Sequence, residues 1–238
     1  MPAPVIGLVG GLGVGATVHY YRRLAAAHDD AREPMRLVMA HASIARTTAC
    51  ASAGDRAGLA EYLSGFLARL RAAGATFGVV PAVTPHICID QLQAIAPIPL
   101  VDLTKAVADH LRSRGPGRFA LFGTRYVVES DLYGRLPGID VARPREDEIA
   151  FVHDAYSQLA HTGIVSEAHR GRLTALADTL AGRDGVDAIV LAGTDFCLMF
   201  TESNTPFPHV DCARVHIAAI RRAAAAPEAM GRPDGHGV

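Results

Sequence analysis

Short apolar runs alternate with longer stretches of helical period along almost the whole chain. The apolar runs predict strands at Val5–Val9, Leu37–His41, Phe77–Pro81, Leu100–Leu103, Phe119–Phe122, Ile139–Ala142, Ala188–Ala192 and, briefly, at Val210. The clearest predicted helices are Ala16–His28, Ala57–Ala73, Thr104–Ser113, Glu146–His161, Ser166–Leu180 and Ala213–Ala224. Because helical stretches follow the strands in turn, the pattern predicts an α/β fold in which parallel sheets are flanked by helices.

A weak internal repeat divides this pattern into two halves. Gly74–Ala82 aligns without a gap to Gly185–Gly193, and each segment follows an amphipathic helix. Gly10 ends an apolar strand 72 residues before the end of the first segment, and Gly123 ends another strand 70 residues before the end of the second. We therefore predict a duplicated unit that forms two pseudo-symmetric Rossmann-like lobes, each built on a mostly parallel sheet.

The two halves are expected to meet across a cleft. We assign residues 1–100 together with residues 213–238 to the first lobe, and residues 101–212 to the second. Ligands of open α/β sheets bind outside the carboxyl ends of the strands, and two such lobes place these edges face to face. The active site is therefore expected between the lobes.

Composition narrows the class of protein. The 238-residue chain carries 23 Lys plus Arg and 24 Asp plus Glu, a net charge of −1 at pH 7. Such a balance gives no field that would attract nucleic acid or an anionic membrane, and no apolar run approaches the length that spans a bilayer. The first residues show no basic region or cleavage site, so we expect a cytoplasmic protein. The four cysteines lack Cys-x-x-Cys spacing, so free thiols and no metal site are expected.

The loop after the first strand, Gly10–Ala16, is rich in glycine and weakly matches a dinucleotide-binding fingerprint. A nicotinamide site would also need an acidic residue at the end of the second strand, and Leu37–His41 has none. Successive backbone N–H groups at a helix N-terminus can instead hold a carboxylate, and Gly11 and Gly13 are the candidates. A tight turn that requires glycine is the alternative. No cofactor is expected.

Several short motifs occur in an order and spacing that resemble one enzyme family. They are Gly10–Thr17 with Tyr20 and Tyr21, Ala45–Thr47, Pro81–His86, Gly123–Tyr126 followed by Tyr133, Ala192–Asp195, and Asp211 with His216. Together they resemble the aspartate/glutamate racemase superfamily over nearly the whole chain. The resemblance implies an isomerase of the amino-acid racemase kind that acts on a small carboxylate-bearing substrate. A homodimer is suggested by the resemblance alone.

The chain departs from this pattern where the family's racemases carry their two thiols. Those enzymes read Pro-Cys-Asn-Thr-x-His in the first-lobe turn and Gly-Cys-Thr-Glu in the second, whereas this chain has Ala82, Val83 and Gly193. Racemisation needs a base on each face of the α-carbon, and neither alanine nor glycine can move a proton. We therefore expect acid–base chemistry without the cysteine pair. A lyase or decarboxylase on the same scaffold, or a non-catalytic carboxylate-binding pseudo-enzyme, is the alternative.

The polar residues that remain near the two turns are the candidate site residues. We expect His86, Asp195, Thr84 and Thr194 to serve catalysis, since histidine and carboxylate can transfer protons and hydroxyls can stabilise charge. Substrate binding is assigned to Gly11, Gly13, Thr17, Arg46, Thr47, Val83, Thr124, Arg125, Tyr126, Asp211 and His216. The two arginines can each hold a carboxylate through paired hydrogen bonds. For every one of these residues, a role in a cap, the core or the surface is the alternative.

Overall fold

The computed structural model describes residues 4–225, which contain two four-stranded parallel sheets. The strands are β1 Ile6–Gly10, β2 Leu37–His41, β3 Phe77–Val79, β4 Leu100–Val101, β5 Arg118–Gly123, β6 Asp140–Val141, β7 Ala188–Ala192 and β8 His209–Asp211. The helices are α1 Val14–Ala31, α2 Ile44–Ala53, α3 Arg56–Ala72, α4 Ile89–Ile95, α5 Leu103–Ser113, α6 Arg125–Glu129, α7 Asp131–Gly134, α8 Glu146–Thr162, α9 Glu167–Asp184 and α10 Cys212–Ala225. Short 3₁₀ helices follow β3 and β7, at Thr84–Cys88 and Thr194–Leu198.

Both sheets have the same strand order. The first runs β2-β1-β3-β4 and the second runs β6-β5-β7-β8, and every neighbouring pair is parallel. Gly10 and Gly123, the two anchors of the repeat, end the equivalent strands β1 and β5. The predicted two-lobed α/β fold is confirmed, and the matching strand order supports a duplication.

The predicted strands are observed, with differences at their ends. β2 and β7 have the predicted bounds. β3 ends at Val79, before Pro81, which has no N–H to donate to a ladder. β4 ends at Val101 rather than Leu103, because the Asp102 side chain accepts the Lys105 N–H and so caps α5.

Two helices cross between the lobes. α10 follows the second sheet but buries Ile217 and Ile220 in a core cluster with residues of β1 and β3. α5 follows the first sheet but buries Val107 and Leu111 against β5 and β7. Val101 pairs with β3, so the first sheet extends one residue past the proposed lobe boundary. The proposed division into lobes stays a prediction, and residues 1–3 and 226–238 of the proposed first lobe lie outside the described residues.

The hydrophobic pattern does not predict α2, although this helix lines the cleft. Its sequence, IARTTACASA, is rich in Thr and Ala and has no continuous apolar stripe. Local signals define it instead, since the Ser43 side chain accepts the Arg46 N–H at its start and Gly54 takes a left-handed conformation at its end. Those caps fix the helix that carries Thr47.

Between residues 4 and 225, no helix combines the length and the apolar character needed to cross a bilayer. Over the same range, no group of three or more His, Cys, Asp or Glu side chains is arranged to hold a metal ion.

Candidate functional site

A small cavity of about 40 Å³ lies between the lobes, where the loops and helices that follow the strands of both sheets converge. The first lobe lines it with Leu12, Ile44, Thr47, Thr48, Ala82, Thr84 and Pro85. The second lobe lines it with Thr124, Tyr126, His153, Tyr156, Ser157, Ala160 and His161. This is the cleft in which the active site was expected.

The two strand-to-helix turns of the repeat meet beside this cavity. The Thr194 hydroxyl of the second lobe donates to the Pro81 carbonyl of the first at 3.0 Å. Nearby, the Thr84 and Thr124 hydroxyls lie 3.5 Å apart across the cleft. Tyr133, in the left-handed backbone of α7, donates its hydroxyl to the Thr84 carbonyl at 3.2 Å. The predicted juxtaposition of the two turns is therefore present in the structure.

The glycine-rich loop is occupied by a carboxylate of the protein itself. Asp195, which is fully buried, accepts the Ala16 N–H at 2.9 Å in the first turn of α1. A Cβ on Gly13 would lie 2.7 Å from Asp195 Oδ1, so glycine makes room for this contact. Thr17 closes the loop by accepting the Gly11 N–H and donating to the Gly13 carbonyl. The expected substrate role of this loop stays a prediction, since Asp195 contacts the loop and Gly11, Gly13 and Thr17 do not line the cavity.

Asp195 also faces Tyr156 of α8. The Tyr156 hydroxyl donates to Asp195 Oδ2 at 3.5 Å, the outer limit of a hydrogen bond. Burial raises the pKa of Asp195 to about 6, although the hydrogen bond from Ala16 opposes this effect. Burial raises the pKa of Tyr156 well above its usual value, and the nearby Asp195 charge adds to this effect. A phenol with a raised pKa therefore lies next to a carboxyl group whose pKa is raised by burial.

His86 lies under the first-lobe turn with both ring nitrogens bonded to backbone. Nδ1 donates to the Ala82 carbonyl at 2.8 Å, and Nε2 accepts the Leu103 N–H at 3.3 Å. The residue is 2% exposed, and burial lowers its pKa. Because one neutral tautomer satisfies both bonds, this geometry favours a structural role over the expected catalytic one.

Neither arginine proposed to bind carboxylate reaches the cavity. The Arg46 guanidinium is on the surface and lies over the Tyr62 ring, 4.3 Å from its centroid. The Arg125 guanidinium pairs with Glu129 at 2.9 Å and also with Glu146. Both guanidinium groups therefore have partners within the protein, and their expected role in binding carboxylate stays a prediction.

Three other predicted binding residues make contacts within the protein fold. Asp211 caps α10 by accepting the Ala213 N–H at 2.8 Å. His216 lies between the Tyr20 hydroxyl at 3.1 Å and the Val101 carbonyl at 2.9 Å, and burial lowers its pKa to about 3. Val83 is buried in the core of the second lobe. None of the three lines the cavity.

A scan against protein families gives a match over most of the chain. The model described as Asp/Glu/Hydantoin racemase matches residues 9–220. The chain belongs to this family. The suspected superfamily is thereby confirmed.

Solved structures support the same fold. A candidate Asp/Glu racemase from Yersinia pestis is 26% identical, with a TM-score of 0.78, and the match covers 93% of this chain and 99% of that one. The aspartate racemase of Picrophilus torridus is 19% identical, with a TM-score of 0.74 and coverage of 93% and 94%. A maleate isomerase variant from Pseudomonas putida, solved with maleate, is 16% identical, with a TM-score of 0.58 and coverage of 93% and 92%. The last two likenesses concern the fold alone.

The two positions equated by motif with the thiols of Asp/Glu racemases have different surroundings. Ala82 lines the cavity and is 4% exposed. Gly193 is covered by the Tyr156 ring, so that a Cβ at this position would lie only 2.5 Å from Tyr156 Cζ. The first position thus adjoins a small space, while the second is filled by a side chain from α8.

No cysteine of this racemase-family chain lines the cavity. Cys88 donates its thiol to the Pro85 carbonyl at 3.2 Å, and burial raises its pKa to about 12. Cys197 and Cys212 are buried too, and burial raises the pKa of both thiols. Cys50 is half-buried on α2. All four thiols therefore lie outside the lining of this cavity.

One predicted binding residue carries an unsatisfied hydroxyl at the cavity. Thr47 Oγ1 is buried, and it has no hydrogen-bond partner among residues 4–225. The residue is 3% exposed and lines the cleft from α2. A buried hydroxyl without a partner costs about 1–3 kcal/mol, so a ligand that bonds Thr47 would recover that free energy.

A polar stripe on α8 was missed by sequence reasoning. His153, Ser157 and His161 are spaced four residues apart, so they share the helix face that lines the cavity beside Tyr156. His153 Nδ1 accepts the Arg125 N–H at 3.3 Å, and burial lowers the pKa of His153. Nδ1 of His161 bonds the Ser157 carbonyl at 2.8 Å. The His-x-x-x-Ser-x-x-x-His spacing within a predicted helix was the available signal.

Proposed function

We propose that this member of a racemase family is a cofactor-independent enzyme that moves a proton beside the carboxylate of a small amino acid or dicarboxylic acid. The observation that carries the proposal is the second-lobe side of the cavity, which is lined by Tyr156, His153 and His161. Phenol and imidazole groups can transfer protons without a thiol or a cofactor. Membership of a racemase family supports chemistry beside a carboxylate.

Hydroxyl groups are the proposed ligands of the substrate carboxylate. We call the first-lobe side of the cavity the first wall and the second-lobe side the second wall. The unsatisfied Thr47 hydroxyl lies on the first wall. The Thr84 and Thr124 hydroxyls contact each other only weakly, at 3.5 Å. A carboxylate placed between the walls would accept hydrogen bonds from these donors, and bonds to a charged acceptor are about twice as strong as neutral ones. The two arginines have no part in this proposal.

Binding requires the cleft to open. A cavity of about 40 Å³ has room for roughly two or three water molecules, whereas ligand pockets usually exceed about 300 Å³. Across the cleft, Thr194 bonds Pro81 and the Tyr126 hydroxyl donates to Ser52 Oγ at 3.0 Å. We infer that these contacts break when substrate enters and reform around it, as in enzymes that close over their substrates.

A second candidate reaction follows from the chemistry of the first wall. The residues of the first lobe at the cavity are aliphatic side chains, proline and threonines, none of which titrates near neutral pH. A carbon acid bound there can exchange a proton only with the second wall. Lysis or decarboxylation needs one proton donor only, so a lyase or decarboxylase on the same scaffold is the second candidate.

Heavy-water exchange tests both candidates. The protein is incubated with L-aspartate, L-glutamate, maleate and methylmalonate in D₂O, and NMR follows α-deuterium, the geometry of the double bond and loss of carbon dioxide. We expect deuterium to enter at least one of these acids, or one of them to be converted. If none is exchanged or converted while thermal shifts show that one binds, a non-catalytic carboxylate-binding protein is the correct description.

A further inference from the structure

The Tyr156 ring occupies the space that a side chain at position 193 would need. A Cβ built on Gly193 would lie 2.5 Å from Tyr156 Cζ and 2.7 Å from Cδ2, which is far inside ordinary van der Waals contact. The ring centroid is 4.9 Å from that of Phe196, and Tyr156 is only 5% exposed. A residue of α8 therefore fills the position equated with the second-lobe thiol.

The phenol of Tyr156 connects the cavity with a buried carboxylate. The residue lines the cavity, and its hydroxyl lies 3.5 Å from Asp195 Oδ2. Asp195 is fixed through its other oxygen by the Ala16 N–H at 2.9 Å. Hydrogen bonds in ligand-free active sites are often long and shorten when substrate binds, so proton transfer requires this bond to shorten in the same way.

We propose that Tyr156 and Asp195 form a proton relay in place of the second-lobe thiol, with Tyr156 as the residue that contacts the substrate. This inference rests on the proposed function, because it needs a carbon acid bound in the cleft. In the first step the Cα–H bond breaks, and its electron pair stays on the substrate as an enolate. A lone pair of the phenol oxygen takes the proton, while the original phenol proton passes to Asp195 Oδ2.

The relay returns a proton by the reverse route. Burial raises the pKa of Asp195 to about 6, which makes its carboxylate a stronger base than an ordinary one. Tyr156 begins and ends each transfer as a neutral phenol, in keeping with the raised pKa that burial gives it. When the cleft opens in D₂O, the Asp195 proton exchanges for deuterium. The first wall has no titratable side chain, so deuterium returns to the face that lost the proton and the configuration is retained.

A Tyr156 ring that only fills space and a Tyr156 hydroxyl that transfers a proton lead to different predictions. If Tyr156 only fills space, the Tyr156→Phe variant keeps the shape and should behave like the wild type. If the hydroxyl transfers the proton, the same variant should still bind the acid but lose exchange. Tyr21→Phe is the matched control, because Tyr21 is 48% exposed on α1 and does not line the cavity.

The test uses the full chain with L- and D-aspartate and L- and D-glutamate in D₂O. Deuterium incorporation is measured by NMR, configuration by chiral chromatography, and binding by the thermal shift that each acid produces. We expect Tyr156→Phe to lower the exchange rate by about 10²–10⁴-fold, the usual contribution of general acid–base catalysis, with an unchanged thermal shift. Asp195→Asn should also lose exchange, and Tyr21→Phe should match the wild type.

Each other outcome has a definite meaning. Equal exchange in the wild type and Tyr156→Phe would overturn the relay and leave the proposed function standing. Loss of the acid-induced thermal shift together with exchange would overturn it as well, since the hydroxyl would then serve binding. Exchange accompanied by racemisation would overturn the one-sided route. A wild type that exchanges none of the four acids would overturn the relay together with the proton-exchange version of the proposed function.

Discussion

The two walls of the cleft come from equivalent parts of the two lobes, yet they differ in chemistry. The sheets share one strand order, and α2 follows β2 as α8 follows β6. α2 lines the cavity with Ile44, Thr47 and Thr48. α8 lines it with His153, Tyr156, Ser157, Ala160 and His161. Every imidazole and phenol that lines the cavity belongs to the second lobe.

The difference shows where a duplicated fold has diverged. The strands and the glycines that end β1 and β5 keep the common backbone, so the two turns still meet across the cleft. The flanking helices differ, since α8 has 17 residues and α2 has 10. α8 reaches over Gly193 and supplies Tyr156 there, whereas Ala82 lines the cavity. Acid–base capacity has thus been placed on one wall by a helix rather than by the turn itself.

The largest expected effect is a loss of stability on substitution of Gly193, in the turn that follows β7. Gly193→Ala should lower the free energy of unfolding by about 3 kcal/mol, because the new Cβ overlaps the buried Tyr156 ring and the core must shift. Urea denaturation measures the loss. Adding Tyr156→Ala removes the overlap, so the double variant should lose less stability than the two single variants combined.

A matched glycine provides the control for this experiment. Gly182 lies within α9, and a Cβ there would meet nothing within 4 Å. Gly182→Ala should therefore stabilise the protein by up to about 1 kcal/mol through helix propensity. A Gly193→Ala variant as stable as Gly182→Ala would show that Tyr156 does not hold the space assigned to it.

The next largest effect is the contribution of Asp195 to the pH dependence of protein stability. Burial raises the pKa of Asp195 to about 6 from its ordinary value of 3.8, so at pH values between these the folded protein binds more protons than the unfolded chain. Its contribution to stability is therefore largest at low pH and is lost as the pH rises towards 6. Two pKa units correspond to up to about 3 kcal/mol.

Asp195→Asn isolates this contribution, because asparagine can still cap α1 and does not titrate. The difference in unfolding free energy between Asp195→Asn and the wild type should grow in favour of the variant between about pH 4 and pH 6. Chemical denaturation across this range measures it. A difference that stays constant with pH would mean that Asp195 ionises normally, and the second wall would lose its distinguishing carboxyl group.

A smaller effect is expected on the first wall. Thr47→Val removes a buried hydroxyl that has no partner among the described residues, so it should stabilise the protein by about 1 kcal/mol. Thr194→Val removes the donor to the Pro81 carbonyl and should destabilise by a similar amount. If Thr47→Val is instead the destabilising variant, the Thr47 hydroxyl is already satisfied and its proposed role in ligand binding loses support.

Much of the fold was predictable from the sequence, because strands buried on both faces leave continuous apolar runs. β7, which is buried throughout, has the predicted bounds, and the Gly74–Ala82 repeat indicated two equivalent sheets. α2 was not predictable in this way, since its Thr- and Ala-rich sequence has no apolar stripe and depends on its two caps. Periodicity reports a buried face, and a short helix at the rim of a cleft buries little.

The site was predictable in position and less so in its side chains. Motif spacing placed Thr47, Thr84, Thr124 and Tyr126 near the cleft, and all four line the cavity. The same spacing could not show which way polar groups turn. Asp195 turns into the glycine-rich loop, because the α1 N–H groups attract the nearest carboxylate, which is the protein's own. Tyr156 was missed because it reaches the turn through tertiary packing, 37 residues before Gly193 in the chain.

The substitution with the smallest expected effect on stability, Ala82→Cys, tests most directly whether protons are transferred from the second wall alone. Ala82→Cys adds one sulfur atom beside a cavity of about 40 Å³, so the unfolding free energy should change by less than about 1 kcal/mol. The thiol supplies the first wall with a group that can return a proton to the opposite face of the substrate. We expect the acid that the wild type exchanges with retention to racemise slowly in this variant, as measured by chiral chromatography. Ala82→Ser is the control of similar size, and its hydroxyl should not support racemisation. Retention in all three proteins would mean that position 82 does not face the reacting carbon, and the difference between the walls would then not explain the stereochemistry.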